Sequence, residues 1–146
     1  MAKLVDARDS KSRGSNTMSV RVRPPAPDSE TSCEDRVELD CIFCKIVAKE
    51  LPADIIKEND DVIVIKDRAP KATLHYLIIS KKHYKDLQAV DECTLPYWLV
   101  TTAQSLSTDD PAASAYRLIV NNGYEAGQRV FHLHVHFLAG TALPDF

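Results

Sequence analysis

The sequence predicts an α+β fold, in which a largely antiparallel sheet of about five strands carries one long helix and one short helix. Short β-branched or apolar segments alternate with polar, glycine-containing or proline-containing breaks, which is typical of strands joined by turns. A single long segment with helical periodicity separates the first strands from the last, unlike the regular alternation of an α/β protein. With 146 residues, 45% of them hydrophobic, the chain can form one packed core.

The globular pattern begins at residue 41 with a short helix. Phe43, Ile46 and Val47 recur at helical spacing within residues 43–50. Pro52 then ends this helix, because proline cannot donate the next backbone hydrogen bond.

The strands follow from the apolar segments. The polar residues 58–61 separate the first two strands and predict a hairpin, and a third strand after Pro70 is expected to pair in the same sheet. A loop with Gly123 and Gly127 joins the last two strands. The predicted strands are residues 54–57, 62–66, 76–79, 116–120 and 131–138.

Residues 91–105 form the best candidate for a long helix. Pro96 lies within its first turns, where a proline is tolerated. One side of this helix carries Leu95, Trp98, Leu99 and Thr102.

The first 40 residues differ in composition from the rest. Residues 1–27 carry six Lys or Arg against two Asp, and residues 28–40 carry six Asp or Glu against one Arg. Apolar residues are too scattered there to cover a core, which predicts a disordered or non-native tail before a domain at residues 41–146. A transit peptide, or a true start at Met18, is the alternative.

Overall composition excludes several classes of function. The formal net charge of -3 offers no bulk attraction to nucleic acid or to an anionic membrane, so neither is expected as a partner. No apolar run approaches the roughly 20 residues needed to span a bilayer, and no secretory signal is recognisable. A cytoplasmic protein with a small-molecule ligand is therefore expected. The only close pair among the four cysteines, Cys41 and Cys44, indicates metal or redox chemistry rather than a disulfide framework.

Three of the five histidines, His132, His134 and His136, alternate within one predicted strand. Because side chains alternate across a strand, the three imidazoles face one side of the sheet, and the residues between them face the core. Buried imidazoles need hydrogen-bond partners, so a row of three is costly as mere packing. Such a row suits nucleophilic and electrostatic work at an anionic phosphorus, although a satisfied polar ladder or three metal ligands remain alternatives.

The loop before this strand holds Gly127, Gln128 and Arg129. A glycine there lets backbone amides approach an anion, and the two following side chains add donors. Without the histidines, a plain turn would be the better interpretation.

Taken together, these motifs resemble the Hint branch of the histidine-triad superfamily over residues 41 to about 140. The start of this pattern distinguishes the Hint branch from the Fhit-like branch. The matching residues are Cys41-Ile-Phe-Cys-Lys-Ile46, Asp67 followed by Pro70, His75 with Ser80-Lys-Lys-His83, Asn121, and Gly127-Gln-Arg-Val-Phe-His-Leu-His-Val-His136.

The resemblance implies a role for each histidine. His134, in the middle of the triad, would be the nucleophile that forms a nucleotidyl-histidine intermediate. His136 would contact the phosphate, and His132 would hold His134 in the right tautomer. His75 would lie near the triad, where it supports His132 or binds metal. For His83, at a strand end, a solvated surface position is as good an expectation as any function.

The resemblance also implies a nucleotide site. Asp67 would bind the ribose hydroxyls, unless it forms an ordinary turn at the strand end, and Asn121 would lie near the ribose and phosphate. Phe43, Ile46 and Ile65 would line the base pocket. The loop residues Gly127, Gln128, Arg129 and Val130 complete the predicted nucleotide-binding set.

Arg129 departs from the family pattern, which usually has a small hydroxyl residue there. A guanidinium near the scissile bond would favour leaving groups with negative charge, whereas an outward-facing one would play no part.

Structural zinc requires four ligands, and the two cysteines supply half of them. The resemblance implies that His75 and His132 complete the set with Cys41 and Cys44. The alternative is a pair of small apolar cysteines in or beside the first helix.

The predicted function is hydrolysis of a purine nucleoside phosphoramidate or aminoacyl-adenylate, with no metal required for the chemistry. The resemblance further implies a homodimer with a continuous sheet. A Fhit-like dinucleoside polyphosphate hydrolase and a zinc-stabilised nucleotide-binding scaffold protein are the alternatives.

Overall fold

A computed structural model describes residues 40–140 and Leu143. The predicted tail, apart from Asp40, lies outside the described residues. Within them, five strands form one antiparallel sheet in the order β1-β2-β3-β5-β4, which confirms the predicted fold class. The strands are β1 (Ile55–Glu58), β2 (Val62–Lys66), β3 (Leu74–Ser80), β4 (Tyr116–Ile119) and β5 (His134–Ala139), and the helices are α1 (Ile42–Val47) and α2 (Leu95–Asp109).

The long helix lies four residues further along the chain than predicted. Asp91 is outside it and accepts a hydrogen bond from the Tyr84 hydroxyl, and Pro96 occupies the first turn of α2. Of the four residues predicted to share one side of this helix, Leu95, Leu99 and Thr102 are buried, whereas Trp98 is exposed. No helix in residues 40–140 is long and apolar enough to cross a membrane.

The last strand begins at His134 instead of residue 131. Just before it, the Leu133 N–H donates to the Tyr84 carbonyl, and the Leu133 carbonyl accepts from the Ser80 N–H. Leu133 is thus bound to the last residue of β3 and to Tyr84, which follows that strand, and it is not part of the ladder.

Two apolar clusters lie on opposite faces of the sheet. The buried side of α2, with Leu99 and Leu106, covers the face that contains Leu133, Val135 and Phe137, so these three are core residues as predicted. The other face is packed under α1. That second cluster contains Phe43, Ile46, Ile63, Ile65, Leu77 and Ile79. The alternation of side chains therefore leaves the three histidines on the α1 side.

The pairing of β3 with β5 sets the positions around the histidines. Ile79 pairs with His134, Leu77 with His136 and His75 with Leu138. Because the two strands are antiparallel, His75 at the start of β3 lies beyond His136, the last histidine of the triad. Ser80 at the end of β3 lies close to the beginning of β5, where the triad starts.

Candidate active site

The three histidines form a row in which His132 and His134 are buried and His136 is partly exposed. The rings of His134 and His136 meet edge to face, with their centroids 5.1 Å apart. Phe43 from α1 packs its ring edge-on against His134 at 5.1 Å and against His132 at 5.8 Å. The short helix thus closes over the first two imidazoles and excludes water from them.

The His134 ring is held by the backbone two residues before it. Its Nδ1 lies 2.7 Å from the His132 carbonyl oxygen. A carbonyl only accepts, so Nδ1 donates and carries the proton of the neutral ring, which leaves the lone pair on Nε2. Burial lowers the pKa of His134, against the opposing effects of this hydrogen bond and of Asp67. The backbone of His132 thus contacts the His134 ring, and the role of His132 in catalysis stays a prediction.

A second chain of contacts joins His136 to Asp67 through His75. The His75 Nε2 lies 2.9 Å from the His136 Nδ1 and 3.5 Å from the Asp67 Oδ2. Burial lowers the pKa of His136 to about 4, and burial also lowers the pKa of His75. His75 therefore contacts the last histidine of the triad and not His132, the one that it was predicted to support.

Two cysteines and two histidines meet at the other end of the triad. The His132 Nδ1 lies 3.3 Å from the Cys41 Sγ and 3.5 Å from the Cys44 Sγ, and the His83 Nδ1 lies 3.2 Å from the Cys44 Sγ. These four ligand atoms lie within 4.8 Å of one another.

The predicted metal-ligand set is thereby corrected at one position, since His83 takes the place of His75. The reason is the antiparallel register. His75 pairs with Leu138, and the six residues from His75 to the level of His132 correspond to about 20 Å of extended strand. The turn after Ser80 instead brings His83 against His132, with their ring centroids 4.8 Å apart.

The donor set fits a structural zinc ion. The His132 Nε2 lies 2.7 Å from the Ser80 carbonyl oxygen, so Nε2 carries the proton and Nδ1 offers its lone pair to the sulfur side. Tetrahedral zinc with bonds of ~2.3 Å to sulfur and ~2.0 Å to nitrogen requires sulfur–nitrogen separations of about 3.5 Å. The observed separations of 3.2–3.5 Å lie within a few tenths of an ångström of that value.

A cavity of about 430 Å³ opens beside α1 and the end of β2. Phe43, Ile46 and Ile65, which the resemblance implied for a base pocket, are among its apolar lining residues, and Asp67 also lines it. The Asp67 Oδ1 accepts the Ala69 N–H at 2.7 Å, so the expected strand-end turn is also present. The lining residues that sequence reasoning missed are Ile42, Pro52, Ala53, Asp54, Lys66, Arg68 and Leu77.

Gln128 was predicted to bind nucleotide, and the structure corrects this for its side chain. Only 1% of the residue is exposed. Its Oε1 accepts the Gly123 N–H at 2.7 Å, and its Nε2 donates to the carbonyls of Lys85 and Val130 at 2.7 and 3.1 Å. Because both ends of the amide are engaged inside the protein, Gln128 holds the loop together.

The other loop residues take different positions. Gly127 adopts a left-handed conformation with φ +91°, and its N–H donates to the Tyr124 carbonyl. Arg129 places its guanidinium 4.7 Å from the centre of the Tyr124 ring and donates to the same carbonyl, at an exposed position. Val130 packs against the cluster under α1, on the histidine side of the sheet. Asn121 comes two residues after Ile119, the last residue of β4, which pairs with His136.

His83 is the candidate metal ligand that the sequence prediction left out of the set. The sequence did contain an indication of this ligand, because a metal site of two cysteines and His132 needs a fourth ligand near His132, just before β5. Finding it requires the register of β3 and β5, which local sequence does not contain.

This chain is similar to known proteins in both sequence and fold. The HIT domain model matches residues 48–143. An uncharacterized HIT-like protein of Synechocystis is 41% identical over 103 residues, which are 69% of this chain and 90% of that protein.

Solved structures with the same fold include three with informative descriptions. A histidine triad protein from Clostridium difficile has a TM-score of 0.71 and 36% identity, covering 74% of this chain and 96% of that one. A HIT family hydrolase from Legionella pneumophila Philadelphia 1 has a TM-score of 0.67 and 32% identity, covering 72% and 96%. A Zn-bound histidine triad family protein from Mycobacterium smegmatis has a TM-score of 0.65 and 28% identity, covering 72% and 78%.

Proposed function

The chain belongs to the HIT domain family, and from this premise we propose that it hydrolyses purine nucleoside phosphoramidates or aminoacyl-adenylates through a nucleotide bound covalently to His134. This is the reaction that the resemblance to the Hint branch implies. The general class, a hydrolase with a nucleotide-binding fold, agrees with the HIT family hydrolase from Legionella.

One observation carries the proposal, the 2.7 Å hydrogen bond from the His134 Nδ1–H to the His132 carbonyl. It keeps the Nε2 lone pair of a neutral, buried ring available for attack. A neutral imidazole is a competent nucleophile, whereas a protonated one has no lone pair to donate. The Phe43 ring packs against the same imidazole and contributes to its burial.

The reaction then divides into two substitutions at the α-phosphorus. In the first, the His134 Nε2 forms a bond to phosphorus and the bond from phosphorus to the leaving group breaks. An amine takes up a proton from solvent as it leaves, a carboxylate leaves as the anion, and the attacking water returns a proton to solvent in the second step. In the second, water forms the new bond to phosphorus, the bond to Nε2 breaks and the nucleoside monophosphate is released. Covalent catalysis of this kind replaces one difficult step with two easier ones.

The surroundings of His134 support a nucleotide as the substrate. The apolar cavity under α1 has the size and lining expected for a planar base. We propose that Asp67 accepts hydrogen bonds from the ribose hydroxyls and that His136 donates to a phosphate oxygen. Asp67 and His136 both contact His75, so the ribose and phosphate groups of one nucleotide can reach them together.

We also propose that Cys41, Cys44, His83 and His132 hold a structural zinc ion, as the donor geometry and the Zn-bound relative from Mycobacterium smegmatis support. A zinc ion held there would crosslink the beginning of α1 to the first histidine of the triad and to the segment after β3. The chemistry at phosphorus uses His134 and needs no metal.

A homodimer is a further part of the proposal. Strand β4 forms one edge of the described sheet, and α2 exposes Tyr97 and Val100. An exposed strand edge can pair with a second copy of itself and continue the sheet. Light scattering combined with size-exclusion chromatography should give twice the chain mass, and a monomer at micromolar concentration would contradict this part.

Turnover of a fluorogenic adenosine phosphoramidate, compared with diadenosine tetraphosphate, tests the function directly. We expect the phosphoramidate to be preferred and His134→Ala to lose at least a thousandfold in kcat while still binding AMP. Wild-type protein quenched during turnover should gain the mass of one nucleotidyl group. Preference for the dinucleotide would favour the Fhit-like activity, and binding without turnover would favour the scaffold protein. Activity of His134→Ala within about tenfold of the wild type, or ~1.4 kcal/mol in barrier, would exclude His134 as the nucleophile.

A further inference from the structure

The proton of the His75 ring can be located from its neighbours. The backbone N–H of Lys71 donates to the His75 Nδ1 at 3.0 Å. A backbone amide is only a donor, and a neutral imidazole carries one N–H. The ring therefore carries its proton on Nε2. Burial keeps this ring neutral at pH 7, since it lowers the pKa of His75.

The same reasoning extends to His136. The His75 Nε2–H has two acceptors within reach, the His136 Nδ1 at 2.9 Å and the Asp67 Oδ2 at 3.5 Å. The shorter contact has the length of a hydrogen bond, whereas the longer one is an electrostatic contact. Since the His136 Nδ1 accepts, the proton of the neutral His136 ring must be on Nε2, across the ring from His75.

These hydrogen bonds also exclude another reading of the cluster. Asp67, His75 and His136 place three potential ligand atoms within 4.8 Å of one another, which resembles a cation site. A metal on the His75 Nε2 would require the proton to move to Nδ1, where it would oppose the Lys71 N–H. The alternative, loss of both ring protons, is costly. The cluster is thus a hydrogen-bonded chain.

We propose that His75 is a positioning residue that fixes the neutral His136 ring in its Nε2–H form. Its effect on catalysis rests on the function proposed above, in which His136 meets a phosphate oxygen. In the Nε2–H form the ring offers a donor to the charge that develops on that oxygen, whereas the other tautomer would present a lone pair to it. The Lys71 N–H sets the direction of both hydrogen bonds: Lys71 donates to the His75 Nδ1, and the His75 Nε2–H donates to the His136 Nδ1.

Nuclear magnetic resonance of the ligand-free full chain tests the tautomer without any assay of activity. Correlations between ring protons and ring nitrogens distinguish the two tautomers, and His136→Gln assigns the His136 signals by their loss. We expect the Nε2–H form of His136 at pH 7 in the wild type. Finding the Nδ1–H form would overturn the proposal, whatever substrate the protein proves to hydrolyse.

Two substitutions at His75 separate positioning from packing. Gln can place a side-chain N–H where the His75 Nε2–H stands, whereas Leu fills similar volume without a donor. We expect His75→Gln to keep the Nε2–H form of His136, and His75→Leu to shift part of the ring population to the other tautomer. On the phosphoramidate, kcat should fall on the order of tenfold or more in His75→Leu, with a smaller change in KM, and His75→Gln should recover most of it.

The outcomes remain distinguishable from those of the proposed function. If the wild type does not turn over the phosphoramidate, the function fails but the tautomer measurement still decides the inference. If the two variants lose activity equally and the His136 tautomer is unchanged in both, His75 only fills space, and the proposal is wrong. Should His75→Leu not fold, the wild-type tautomer and His75→Gln still decide it.

Discussion

Substituting His83 tests the corrected metal-ligand set against the one that the sequence implied. The structure predicts that His83→Ala loses zinc, whereas His75→Ala, the matched control, keeps about one zinc per chain. The reason is distance, because the His83 Nδ1 lies 3.2 Å from the Cys44 Sγ, whereas His75 pairs with Leu138 at the far end of β5. Both variants replace a histidine by alanine, one within β3 and one shortly after it, so they differ mainly in where the imidazole is lost.

The expected size of the effect follows from mass action. A ligand that binds only the folded state stabilises it by about 2.7 kcal/mol at a free concentration one hundred times its Kd. For a domain of this size, 1 kcal/mol corresponds to roughly 4 °C in Tm, so loss of the zinc should lower Tm by about 10 °C. His83→Ala should show this fall and should no longer respond to added zinc.

Elemental analysis of protein purified without chelators, with thermal unfolding before and after EDTA, gives the measurements. The wild type and His75→Ala should both lose stability when EDTA is added, and His83→Ala should not. If His75→Ala is the variant without zinc, the ligand geometry is wrong. If the wild type holds none, Cys41, Cys44, His83 and His132 form only a hydrogen-bonded cluster.

Three further results are expected. Gln128→Leu should lower the free energy of unfolding by about 3 kcal/mol in urea denaturation, because it removes three buried hydrogen bonds of ~1 kcal/mol each, whereas the exposed Gln104→Leu should change it by less than ~0.5 kcal/mol. An equal effect of the two would mean that Gln128 does not brace the loop. Arg129→Ser should leave the kcat/KM ratio for two phosphoramidates of different leaving-group charge within about threefold, because Tyr124 holds the guanidinium, and a larger change would show that it reaches the leaving group. The free energy of unfolding should fall as the pH is lowered from 6.5 towards 4, because the unfolded chain then binds a proton that the buried His136, with its pKa lowered to about 4, does not. Urea denaturation of apo protein between pH 7 and pH 5 should give a shallower pH dependence for His136→Gln, and identical slopes would refute this account of His136.

Much of the site was predictable from local sequence, for a simple geometric reason. Alternation along β5 places His134 and His136 on one face and Val135 and Phe137 in the core, whatever the strand pairs with, and His132, just before the strand, lies on the same side against Phe43. The helical spacing of Phe43 and Ile46 likewise predicted one apolar side of α1, and that side lines the cavity. Periods of 2 and 3.6 residues are properties of the backbone and can be read from a few consecutive residues.

The sequence by itself therefore determined which residues share a face, and it supplied the histidines, cysteines and carboxylate of the site. Only the tertiary structure decided which of them meet. The antiparallel register of β3 and β5 sends His75 to His136 and His83 to the cysteines, and the folding of the loop turns the Gln128 amide inward. These partners are separated by dozens of residues along the chain, so their contacts depend on how whole strands align and on which buried polar groups need hydrogen bonds, neither of which is encoded in any short segment.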